Sequence, residues 1–80
     1  MNNENAGAVY AELFRVKYAL VEQEILGRTR VIPKDTRRIL YALGRKAIED
    51  YENLPQDVKN GREFDIKGIE EMLNKIAPQN

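Results

Sequence analysis

Cysteine, histidine, serine and tryptophan are all missing from this 80-residue sequence. Without cysteine there is no disulfide. Without cysteine or histidine the ligands that zinc prefers are gone, so no metal and no cofactor are expected. Nucleophilic catalysis needs a Ser, Cys, Thr or Lys beside a base. Here only Thr29 and Thr36 offer hydroxyls of that kind, and both lie among arginines with no imidazole to activate them. The five glycines are scattered and make no phosphate-binding loop. Acidic groups at Glu49, Asp50 and Glu52, or at Glu70 and Glu71, read as solvated helix faces before they read as a cation site. The expectation is a protein with no catalytic residues and no small-molecule substrate.

Other absences bound its setting. No apolar run approaches the ~20 residues needed to span a bilayer, so no membrane contact is expected. The first residues, Met1-Asn2-Asn3-Glu4-Asn5, lack a hydrophobic signal-peptide core. A cytoplasmic location is the resulting expectation. Acids and bases number 13 each, so the net charge is zero. A surface built wholly for nucleic acid would be basic, so any such contact must be local.

What is present is an ordinary globular balance, 42% hydrophobic and 32% charged. A chain this short buries only about 60% of its unfolded surface. Small domains usually add disulfides, a metal or a partner chain. The first two being unavailable, self-association is the stabiliser left open.

Helical periodicity dominates the chain. Val9, Leu13, Val16 and Leu20 repeat at spacings of 4, 3 and 4 and form one stripe of a helix over about residues 5–26. Tyr10, Phe14, Tyr18, Val21 and Ile25 form a second stripe, offset by roughly 130°. The apolar arc is wide, which predicts a central helix touching more than one neighbour; either the bundle covers it fully as a compact monomer, or three short helices leave part of it open to a partner chain. Gly27 is a natural stop. Arg28 to Ile32 form a short basic linker. Pro33 is tolerated in a first helical turn, and Asp35 adds a carboxylate there. A second helix is expected from Pro33 or Lys34 to Asn53, burying Leu40, Leu43, Ala47, Tyr51 and Leu54, with Pro55 ending it. One helical turn between Pro55 and Gly61 is compatible with the sequence. The last helix is capped by Asp65. Phe64 and Ile69 are spaced for a hydrophobic staple, and Ile66, Ile69, Leu73 and Ile76 are expected to be buried. The fold class is thus all-α: a three-helix bundle with room for one extra short helical turn, expected to assemble as a dimer. Residues 1–80 form a single helical domain, with 1–5 and 78–80 as flexible ends.

Charge is unevenly placed. Residues 1–27 hold four acids and two bases, residues 28–46 hold seven bases against Asp35 alone, and residues 47–80 hold eight acids and four bases. On the second helix this order opposes the macrodipole, which favours anions at the start and cations at the finish. Lys34, Arg38 and Arg45 fall within about 40° of one another and form a basic ridge. A charge run of this kind is also what a solvated helix face looks like.

Two functional classes remain. In the first, the protein is a small regulator or adaptor acting through protein–protein association with a second copy or another protein. The basic start of the second helix then lies against Glu49, Asp50 and Glu52 of a two-fold-related copy. In the second, Arg28, Arg30, Lys34, Arg37, Arg38, Arg45 and Lys46 contact nucleic-acid phosphates, with little base reading because only Tyr41 interleaves them.

The stretch Arg30-Val31-Ile32-Pro33-Lys34-Asp35, a helix, then Gly61-Arg62 and a short helix with Ile66 and Ile69, looks like the plan of a histone fold. That family builds a handshake dimer that binds DNA. The likeness covers about residues 30–77. Pro55 interrupts what should be one unbroken middle helix and the first helix is too long, so no residue role is carried over.

Overall fold

A computed structural model describes residues 3–59 and 65–77, and the side chains of residues 6–59 and 65–77. Its helices are α1 (Asn3–Leu26), α2 (Lys34–Glu52), α3 (Gln56–Lys59) and α4 (Ile66–Ile76). No strand occurs among the described residues. The helical turn after Pro55 is therefore α3. Of the expected flexible ends, 1–5 and 78–80, Met1, Asn2 and residues 78–80 lie outside the described residues, while residues 3–5 open α1; Gly61, Arg62 and Phe64 with its staple also lie outside. α2 stops at Glu52, so no unbroken middle helix of histone type crosses Pro55.

Each boundary has a local cause. After α1 the chain winds down in hydrogen-bonded turns. Gly27 N–H donates to the Gln23 carbonyl at 2.8 Å, and the Thr29 and Arg30 amides both donate to the Leu26 carbonyl. The Thr29 hydroxyl adds a third donor to that same oxygen at 3.3 Å. Three donors on one carbonyl satisfy an acceptor that the helix end would otherwise leave open. α2 begins after Pro33, which stands as its N-cap without a side-chain cap bond. At the far end the Leu54 amide donates to the Tyr51 carbonyl, Leu54 is buried, and Pro55 follows. The Pro55 carbonyl accepts from Val58 and Lys59 and starts α3. Lys59 Nζ lies 5.4 Å from the Tyr51 ring centre, and that ring meets Tyr10 edge-on at 6.0 Å. The short turn is thereby tied to α1 through a cation and two rings. α4 is capped by Asp65, whose Oδ1 accepts from Gly68 N–H at 3.0 Å.

α1 and α2 run antiparallel: Ala8, Val9 and Glu12 share a depression with Leu43, Lys46, Ala47 and Asp50. α4 lies across both, its Met72, Lys75 and Ile76 meeting Leu20, Gln23 and Gly27 at the end of α1. One core of Leu13, Val16, Leu20, Leu40, Ala47, Ile48, Ile69 and Leu73 joins the three longer helices. The extents of 42 × 23 × 18 Å follow from α1, whose 24 residues span about 36 Å at 1.5 Å per residue.

One expectation about burial is corrected. Leu43 is 46% exposed, and the buried face of α2 is Leu40, Gly44, Ala47 and Ile48. The cause is Gly44. A Cβ at that position would stand 2.5 Å from Leu73 Cδ2, so α4 closes on α2 at the one place with no side chain. That contact turns the face of α2 toward Gly44 and Ile48 and lifts Leu43 outward. On α1 the stripe of Val9, Leu13, Val16 and Leu20 is inside as expected. Of the second stripe only Tyr10 is drawn in; Phe14, Tyr18, Val21 and Ile25 are exposed.

Gly44→Ala gives a signed test. In an open helix the change stabilises by about 0.5–1 kcal/mol. Against Leu73 it overpacks the core, and a net loss of about 1–3 kcal/mol is expected, read from the urea midpoint. A rise in the midpoint would show that α4 does not approach α2 so closely.

Candidate functional site

Three surfaces carry the candidate residues. The first is the basic segment. Arg28 and Arg30 leave the turn after α1, and Lys34 opens α2; all three are exposed. Arg37 is half-buried. It lines one depression with Thr29, Arg30, Ile32, Lys75 and Ile76. The fold thus brings Arg30 and Arg37 together with Lys75, a cation more than thirty residues further along the chain that the linear charge pattern assigned elsewhere. Lys75 was not legible as a member because it lies in an acidic part of the sequence, and only the packing of α4 delivers it. Lys46 is the exception among the seven bases: its Nζ lies 3.1 Å from Asp50 Oδ2. That exposed i,i+4 pair stabilises the helix by about a few tenths of a kcal/mol.

The second surface is the outer side of α2. Lys34, Arg38, Arg45, Glu49 and Glu52 are exposed there, basic at the start of the helix and acidic at its end. Asp50, expected to share the acidic end, lies on the other flank with Lys46. No large apolar side chain stands between these charges; Ile39 and Leu43 project on the Lys46 flank, about 100° or more round the helix from Arg38. A contact made of this face alone would rest on exposed ion pairs, whose median worth is about 0–1 kcal/mol.

The third surface is the second apolar stripe of α1. Phe14 (54% exposed), Tyr18 (77%), Val21 and Ile25 (54%) run in a line along α1, and Phe14, Lys17, Tyr18 and Val21 line a shallow depression of their own. The line is flanked by the exposed charges Arg15 and Glu22 on one side and Lys17 and Glu24 on the other. Arg15 is held by Glu12 at 3.3 Å in an exposed i,i+3 pair. Single exposed apolar residues are ordinary on protein surfaces, whereas a contiguous row of this kind is a candidate interaction surface. The signal was in the sequence all along: two stripes on one helix, of which a small bundle can cover one.

Among the described residues, no helix is long and apolar enough to cross a membrane, and no three acidic groups converge on a point that could hold a metal ion. Comparison of the chain with protein-family models, with curated proteins and with solved structures finds no match in any of the three.

The corrected faces predict opposite responses to truncation. Leu43→Ser and Tyr18→Ser should each cost less than about 1 kcal/mol, whereas Ile48→Ala should cost about 2–5 kcal/mol. Urea denaturation of the three variants checks this. Equal losses at positions 43 and 48 would restore Leu43 to the core.

Proposed function

We propose that this protein acts by binding another protein, as a small non-enzymatic regulator or adaptor, and that its contact surface is the exposed flank of α1. The observation that carries this reading is the row Phe14, Tyr18, Val21 and Ile25, which stays exposed although the same helix already supplies Leu13, Val16 and Leu20 to the core. Burying such side chains yields about 1.5–3 kcal/mol each, far more than the charged face of α2 offers.

A photoreactive residue placed at Tyr18, and in a control at Ala42, tests this in the cell that makes the protein. A discrete cross-linked product from position 18 and none from position 42 is expected. Equal labelling from both positions would show that the α1 flank is not the contact.

A nucleic-acid reading keeps one observation of its own, the convergence of Arg30, Arg37 and Lys75 on one depression beside exposed Arg28 and Lys34. Phosphate contacts of this kind weaken steeply with salt through counterion release and would be indifferent to sequence. On this reading duplex DNA is shifted in a gel at low salt, and the shift is lost in the Arg30→Ala/Arg37→Ala/Lys75→Ala variant. No shift of duplex or single strands at low salt removes it.

A further inference from the structure

The exposed row on α1 has a regular spacing. Phe14, Tyr18, Val21 and Ile25 are separated by 4, 3 and 4 residues, the alternation of a coiled-coil seam. In heptad terms Phe14 and Val21 are d positions and Tyr18 and Ile25 are a positions. Arg15 and Glu22 then take the e positions, and Lys17 and Glu24 the g positions. All four flanking charges are exposed. The buried seam of Leu13, Val16 and Leu20 falls at c and f, so the two seams do not compete for the same residues.

The order of these charges selects a partner and a direction. When two copies of this seam are laid antiparallel, Phe14 meets the second copy's Ile25 and Tyr18 meets its Val21. In that register e faces e and g faces g. Arg15 then faces Glu22 and Lys17 faces Glu24, and each pair occurs twice by symmetry. Every flanking charge meets its opposite. A parallel pair matches only Lys17 with Glu22, because Arg15 falls opposite Tyr10, and Glu24 opposite Thr29, beyond the end of the helix. The helix macrodipoles favour the antiparallel arrangement as well. The Arg15–Glu12 pair opposes none of this, since an exposed i,i+3 contact is exchanged at little cost.

We propose that the α1 flank binds a second copy of this chain, as an antiparallel two-helix seam centred between Ala19 and Leu20. The inference rests on the reading that this flank is the contact surface, and it adds the identity of the occupant. The dimer is isologous, and its two bundles lie on opposite sides of a shared α1 pair.

Charge exchange tests it. Arg15→Glu/Lys17→Glu leaves four acids along the seam, and Glu22→Lys/Glu24→Lys leaves four bases. The mass of each protein is read by light scattering over a concentration series at low salt. The unaltered chain should climb from its 9.3 kDa toward twice that value. Each charge variant alone should associate at least about tenfold more weakly, and an equimolar mixture of the two should recover the original association, because opposite charges again meet. Circular dichroism confirms that both variants are helical. Direction is read separately, the chain being free of cysteine. Phe14→Cys should cross-link readily with Ile25→Cys. Phe14→Cys should not cross-link with itself, since the two sites lie about 16 Å apart along an antiparallel pair. Self-linking of Phe14→Cys would overturn the antiparallel register. A chain that stays monomeric at every concentration would overturn the dimer; a product from position 18 in cells would then show that the flank holds a different protein, leaving the functional reading in place. A mixture no better associated than its components would likewise rule out charge-matched pairing through α1.

Discussion

α4 reaches the core only because α2 presents Gly44 to Leu73. With no side chain at that point the two helices approach until Leu73 rests on backbone, and Leu73 and Ile69 can then cap the α1–α2 pair. The rest of the arrangement follows from this contact. It fixes which face of α2 is inside, it brings Lys75 beside Arg30 and Arg37, and it confines α4 to one side of α1. The opposite flank of α1 is left outside as a consequence.

The helices themselves were legible because their signals are local. Apolar spacing, Gly27, Pro33, Pro55 and the Asp65 cap each act within a turn of the chain, and the boundaries fall within a residue or two of where those residues put them. What was illegible is which apolar stripe goes inside. Leu43 was assigned to the core by its spacing from Leu40 and Ala47. Glycine carries no hydrophobic signal, so Gly44 as the centre of the buried face could not be seen. Likewise both α1 stripes are equally apolar by inspection. The choice between them depends on how many helices are available to cover them, which is a property of the whole chain.

The candidate surfaces divide in the same way. The basic run over residues 28–46 and the acidic end of α2 are plain in the sequence, and the fold leaves most of them in solvent. Their grouping changed: Lys46 and Asp50 are tied to each other, while Lys75 joins Arg30 and Arg37 from a distant segment. On α1 the width of the apolar arc left open how much of it the bundle covers, and the fold leaves Phe14, Tyr18, Val21 and Ile25 in solvent.

α1 carries two seams on one backbone, and this has a consequence for how such a chain can change over generations. Insertion of one residue near the middle of α1 rotates everything beyond it by about 100°. It would throw Leu20 out of the core and scramble the outer row in the same event. Between Phe14 and Leu20 no single-residue insertion can alter one stripe and spare the other. A seven-residue insertion, close to two full turns, keeps both in phase and lengthens them together. The helix is therefore free to drift in composition at its polar positions, yet over this stretch its length changes only in steps that keep both stripes in phase.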